Sequence, residues 1–413
     1  MLSQTAAAAD LALSAPLSGH ALHAIERALN LHHSKWDTRL AGCETLARQA
    51  LIVRQREWHW LARTAEQLAA ETLALETEIS RRPELFRELG IPGPLRRCLA
   101  SIDWQVSSPL RVMRFDFHAT AHGWVVSEVN SDVPGGYGEA TFLPALYQPF
   151  LEGLRRPPSP LKLWGDAVES ALAGDTVAFL SAPGYLEDHQ VVRVFMQELS
   201  DRRLACHWIQ SPAAIDWRAG QPRLRFPRDT PVHGIVRFYQ AEWLSQLPRR
   251  TGWRRLLAYA GAVLNPPAAI LSESKRPPLI WPQLSASTCL WRTVLPECRD
   301  PQSVGSADRE AWVLKAAFSN TGDSVTIGNV LTPRQWDEAL RTAVRQPRRW
   351  VAQRRFETAP LDSVDGPVYP CIGMFTINGK AAGAYVRLSR HQLTDGLALG
   401  APLLIHPEPD APL

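Results

Sequence analysis

Val112-Met-Arg114-Phe-Asp116-Phe-His118-Ala-Thr-Ala-His-Gly123-Trp-Val-Val-Ser-Glu128-Val-Asn130 reads as two alternating runs around a turn. Period-two alternation of apolar and polar residues is the mark of paired strands with one buried face. Gly123 can take the left-handed conformation that ends a three-residue hairpin loop. With Ala121–Gly123 as that loop, Asp116 lies opposite Glu128 and Arg114 opposite Asn130, all four on one face. Met113, Phe115, Phe117, Val125 and Val129 are expected on the other face.

Two carboxylates opposed across a ladder repel each other, so the pair needs compensation. Arg114 on a surface hairpin can neutralise them; a cation held between them does the same. Asp116, Glu128 and Asn130 offer oxygen ligands only. That set suits a hard ion such as Mg2+, which keeps waters and takes its remaining ligands from substrate phosphates. Arg114 beside such an ion suits a phosphate oxygen.

The surrounding chain is that of an ordinary globular protein. It has 413 residues, with 45 Lys+Arg against 41 Asp+Glu and 45% apolar residues. This length allows two or three domains. A net charge of +4 is too small to argue for nucleic acid. No apolar run approaches a membrane span, and the Ala-rich start lacks a basic leader, so no membrane partner and a cytoplasmic location are expected. Six scattered cysteines fit a reducing compartment and form neither a disulfide framework nor a zinc motif. Only five of the basic residues are lysines: Lys35, Lys162, Lys275, Lys315 and Lys380. A site that needs a compact point charge cannot freely take arginine instead, so these five positions carry information.

The pattern divides the chain into four spans. Residues 1–100 read as a helical N-terminal region, with Leu61, Ala65, Leu68, Thr72, Leu75 and Ile79 in one stripe closed by Pro83. Residues 101–160 carry the acidic hairpin and end in a Pro-rich linker. Residues 161–265 alternate strand and helix (176–180, 187–199, 204–209, 234–239), a small α/β layer with a partly parallel sheet. Residues 266–413 bring short strands, a helix near 333–344 and an Asn378-Gly379 hairpin.

Arg114-x-Asp116 followed by Glu128-x-Asn130-x-Asp132-x-Pro134 resembles the metal-binding segment of glutathionylspermidine synthase-like proteins, a circularly permuted branch of the ATP-grasp ligases. The resemblance implies a mixed α/β (α+β) fold: a permuted ATP-grasp core with a small pre-ATP-grasp layer, here preceded by helices. It also implies phosphate-binding lysines downstream of the acids. Lys275, in Leu-Ser-Glu-Ser-Lys-Arg-Pro-Pro, and Lys315, where an apolar strand runs into a small polar loop, stand in those places. The loop Ser319, Asn320, Thr321 and Gly322 would close over ATP with backbone N–H groups. Gln353, in Trp-Val-Ala-Gln-Arg, resembles the residue that passes the adenine, and Arg387 the arginine that faces the phosphates. Arg237 falls where such enzymes bind the acid, and Asp132 is a candidate for the incoming amine.

Together these imply an ATP-dependent carboxylate–amine ligase. A small-molecule or peptide carboxylate would be phosphorylated by ATP with Mg2+, and an amine would then displace phosphate. Arg114, Lys315 and Arg387 would offset the developing charge. A second reading, prompted by the low glycine content of the 319–323 loop, is a catalytically silent scaffold that binds nucleotide or peptide. Neither the two substrates nor the oligomeric state is readable from the sequence.

Overall fold

The structure is a computed structural model that describes residues 10–40, 42–104, 110–227, 229–259, 261–318 and 325–407. It is mixed α/β. The acidic hairpin forms strands Val112–Thr120 and Gly123–Asn130, at one edge of an antiparallel sheet. Gly366–Ile377 pairs with the first of these strands, and Lys380–Ser389 then Leu399–Ala401 continue the sheet. Asp116 pairs with Glu128 and Arg114 with Asn130, as the alternation predicts.

The route to that register differs from the expected one. Thr120 pairs with Gly123, so the turn holds two residues, Ala121 and His122, and the ladder slips between Asp116 and Phe117 to leave Ser127 unpaired. A bulge inserts one residue and re-aims its neighbours. Here it restores the register that the tighter turn would have shifted. It also moves Val126 to the apolar face in place of Val125. Val126 is fully buried with Phe115 and Phe117, while Val125 is half-buried. That face packs into the main core, where Trp60, Phe117 and Trp124 make ring contacts.

The helical stripe lies on Gln55–Ser80, and all six of its residues are buried. Residues 1–100 are nevertheless not purely helical. Leu11–Leu13 pairs with Leu51–Arg54, which runs parallel to Leu403–His406 near the other end of the chain. Strands of three or four residues are too short to display a period, and a partner so distant in sequence leaves no local sign.

In the small layer, Thr176–Ser181, Ala205–Ile209, Gly234–Phe238 and Ala262–Leu264 form a wholly parallel sheet rather than a partly parallel one. A further sheet contains Cys298–Arg299, Trp350–Arg354, Trp312–Ala316 and Val325–Ile327, all antiparallel. Its helix, Pro333–Arg345, opens on a capping box between Thr332 and Gln335. Trp312, Leu314 and Ala352 turn toward this helix and bury Trp336 and Leu340 in a small separate core. Alternation then aims Val313, Lys315 and Gln353 the other way. The Asn378-Gly379 turn has φ of 49° and 77°, the left-handed pair that a type I′ hairpin requires.

Candidate active site

The outward face of that last sheet, the polar face of the acidic hairpin and the segment around Lys275 wall a common cavity of about 510 Å3. Arg114, Asp116, Glu128 and Asn130 line it from the hairpin, and Arg387 from two strands away. Lys275, Lys315 and Gln353 line it from the nucleotide side that the sequence indicated. A backbone bond from Lys275 N to Ala317 O (2.9 Å) ties the Lys275 segment to the strand that carries Lys315.

Asp116 is the buried centre. Arg114 donates to both its oxygens (Nε to Oδ1 2.8 Å, Nη2 to Oδ2 3.1 Å), Arg387 donates to Oδ2 at 2.7 Å, and Asn130 Nδ2 at 3.2 Å. Burial alone would raise its carboxyl, but the two guanidinium groups hold it far below the ordinary carboxylate range. Glu128 is half-buried, with Lys275 Nζ 3.6 Å from its Oε2. Burial again opposes ionisation there, and Lys275 and Lys315 outweigh it to lower the pKa. Lys275 is shifted upward against its burial, chiefly by Glu128 and Glu273. Lys315 is shifted downward, first by burial and also by Lys275. Tyr385 lies under both arginines, its ring centre 5.8 Å from Arg114 Cζ and 5.6 Å from Arg387 Cζ.

The donor set fits Mg2+ by its chemistry: two carboxylates and an amide carbonyl, with room in the cavity for phosphate oxygens. No group of three or more His, Cys, Asp or Glu that could hold a metal occurs among the described residues. Among the described residues, any ion here would therefore depend on Asn130 beside the two carboxylates.

The other predicted residues fall elsewhere. Asp132 and Arg237 are buried and ion-paired with each other, and neither lines the cavity. Arg237 also donates to Tyr239 O (2.7 Å) and Asn265 O (3.2 Å), and Asp132 Oδ2 accepts from Ala241 N (2.8 Å). Ser319, Asn320, Thr321 and Gly322 lie outside the described residues.

Several contributors carried no sequence signal. The carbonyl of bulged Ser127, released from the ladder, accepts from Lys315 Nζ at 3.4 Å and Gln353 Nε2 at 3.3 Å. Glu273 accepts from the backbone N–H groups of Ser131 (2.6 Å) and Asp132 (2.8 Å), and burial pushes its carboxyl up to about 7. Lys35, from the N-terminal region, reaches the cavity wall between Asp37 (2.6 Å) and Glu139 (2.8 Å). The scarcity of lysine marked this residue, but nothing marked its place.

Comparison with solved structures finds the same arrangement of the chain in a glutathione synthetase-like effector from Globodera pallida, in its apo form. The TM-score is 0.66 at 13% identity, covering 93% of this chain and 95% of that one. A candidate gamma-glutamylcysteine synthetase from Methylobacillus flagellatus KT matches with a TM-score of 0.43 at 11% identity, over 81% and 85%. No curated protein matches. The sequence pattern of the family described as glutathionylspermidine synthase preATP-grasp matches residues 23–406, which takes in the hairpin, both lysine segments and Arg387. The chain belongs to the glutathionylspermidine synthase preATP-grasp family.

Proposed function

We propose that this protein is an ATP-dependent ligase that joins a carboxylate to an amine through an acyl phosphate. One observation carries the reading. Five segments scattered over the sequence deliver Asp116, Glu128, Lys275, Lys315, Gln353 and Arg387 to one cavity. Phosphoryl transfer asks a protein for positioning and charge neutralisation rather than covalent help, and this set supplies both.

ATP would lie with its base against the slot of Val313, Ile327 and Gln353, whose side-chain amide can pair with a base edge. Lys315 and Lys275 would face the phosphates, and Mg2+, held by Asp116, Glu128 and Asn130, would supply charge neutralisation at the phosphate oxygens. Arg114 and Arg387 now hold Asp116 in place; with nucleotide present, the same forks would turn their remaining donors to phosphate oxygens and to the acid being phosphorylated. Asp132 and Arg237, which sequence alone offers for the substrates, serve instead as a buried brace behind the hairpin.

Incubation with ATP, Mg2+ and pooled acids and amines should release ADP and phosphate in step with a new amide detected by mass spectrometry. Exclusive AMP release would refute the acyl-phosphate route. The silent-scaffold reading draws on Asp116, both of whose oxygens are already engaged by arginine. ATP binding that is unchanged by Mg2+, with no ADP formed over a broad panel, would favour it.

A further inference from the structure

Across the small parallel sheet the strands run 205–209, 176–181, 234–238 and 262–264. The first strand in sequence is thus interior, the second lies on one side of it, and the third and fourth on the other. The order reverses between Thr176–Ser181 and Gly234–Phe238. In open parallel sheets, ligands sit in the crevice at the carboxyl ends of the two strands that flank such a reversal. Tyr185 and Asp188 follow the first of these strands, and Gln240 and Trp243 follow the other. The Tyr185 and Trp243 rings meet at 5.8 Å, so the two segments are neighbours.

Asp188 and Gln240 line the same cavity. They are only 4% and 7% exposed, yet Asp188 Oδ2 and Gln240 Oε1 have no hydrogen-bond partner among the described residues. A buried acceptor without a donor is costly, and two of them at one crevice indicate what is missing there. Helix Leu186–Asp201 begins at this point, and a bare helix N-terminus would invite an anion. Glu187 and Asp188 in its first turn already satisfy the dipole and repel one. The missing group is a cation with several N–H donors. Burial, with Glu187 beside it, pushes the Asp188 carboxyl up to about 8, and an arriving positive charge would draw it back to the ionised form.

We propose that Asp188 and Gln240 form a subsite for the ammonium group of a substrate, in the cavity that Asp116 and Lys315 also line. The proposal rests on the ligase reading only in calling the bound molecule a substrate, since the binding needs no nucleotide. The ammonium could belong to the amine substrate or to the α-amino end of a peptide acid.

The test is calorimetric titration without ATP, using butylamine against N-butylacetamide, and Ala-Ala against N-acetyl-Ala-Ala. The free ammonium is expected to bind at least about tenfold tighter than its acetylated counterpart in one pair or both, and the pair that discriminates identifies the source. Asp188→Asn should abolish the discrimination, Gln240→Leu should reduce it, and Asp188→Asn should leave the melting temperature unchanged or raised. Equal binding of free and acetylated forms to the unmodified chain would overturn the proposal. So would discrimination that survives Asp188→Asn, or a melting temperature lowered by that change, which would reveal a structural partner. Because nucleotide is absent, failure here is separate from failure to form ADP.

Discussion

Two buried arginine–aspartate pairs flank the acidic hairpin, one within its first strand and one just past its second, and they have different fates. Asp132 and Arg237 pair one to one, and they also bond backbone groups of Tyr239, Ala241 and Asn265. Arg237 Nε finds no partner among the described residues, and neither side chain of the pair lines the cavity. Asp116 is held as firmly, but Arg114, Arg387, Lys275 and Lys315 gather around Asp116 and Glu128 on a cavity wall, and the two further acids near Lys275, Glu273 and Glu242, have carboxyls pushed up to about 7. A balanced, sealed pair is a brace. An arginine pair with further cations beside open volume suits a polyanion, and on the proposed reading it is that surplus, not the pair, that would carry function.

The sealed pair should show the largest change. Arg237→Met leaves Asp132 charged and buried, which costs about 3–5 kcal/mol. Urea unfolding should show that loss, while the ATP affinity of the molecules that remain folded stays within about twofold. A loss of affinity larger than the loss of folded protein would return Arg237 to the substrate site. At the open site the effect should fall on turnover instead. Lys315→Ala should lower kcat/KM by about 100- to 1,000-fold, roughly 3–4 kcal/mol of transition-state stabilisation. Because burial and Lys275 already disfavour the Lys315 cation, its melting temperature should hold. Turnover within about twofold of the original would remove Lys315 from the chemistry.

The same contrast explains what the sequence disclosed. Asp116, Glu128 and Asn130 were legible because period-two alternation spans the whole hairpin and fixes their common face. Even there the turn is one residue tighter than expected, and the bulge at Ser127 compensates. Only the choice of Val126 over Val125 exposes the difference. Lys275, Lys315, Gln353 and Arg387 were legible by resemblance, since no local pattern shows that separate strands face one cavity. The Asp132–Arg237 pair, the Glu273 contacts and the strand pairing of Leu51–Arg54 with Leu403–His406 were not legible. Each joins residues more than a hundred positions apart, and neither periodicity nor spacing reaches that far.

A smaller effect should come from the acids behind Lys275. Burial, then Glu273 and Asp132, push the Glu242 carboxyl up to about 7 in the folded protein, against about 4.5 when unfolded. Below pH 4.5 both states hold the proton and Glu242 contributes nothing. Between about 4.5 and 7 the unfolded chain releases it first, so stability is lost as pH rises and the loss levels off above 7. Glu242→Gln should therefore stabilise the protein by about 1–3 kcal/mol at pH 8 and hardly at all at pH 4.5. Equal effects at both pH values would mean that Glu242 titrates normally.

The smallest change probes how Arg114 is aimed. Gly373 pairs with Asp116 on one side and with Tyr385 on the other, and a Cβ there would lie 2.7 Å from Arg114 Cδ and 2.9 Å from its Nε. The missing side chain is what lets the arginine lie flat across the sheet with its fork on Asp116. In Gly373→Ala the guanidinium must lift, while Arg387 and Asn130 still hold the carboxylate, so only part of the arrangement is lost. A weakening of ATP binding by about fivefold, near 1 kcal/mol, is expected with a modest fall in melting temperature. Gly400→Ala, whose Cβ would meet nothing nearer than 3.6 Å, is the matched control and should change neither. If Gly373→Ala lowers the melting temperature but leaves ATP affinity untouched, Arg114 belongs with Arg237 as a brace, and the surplus of charge at the cavity is smaller by one.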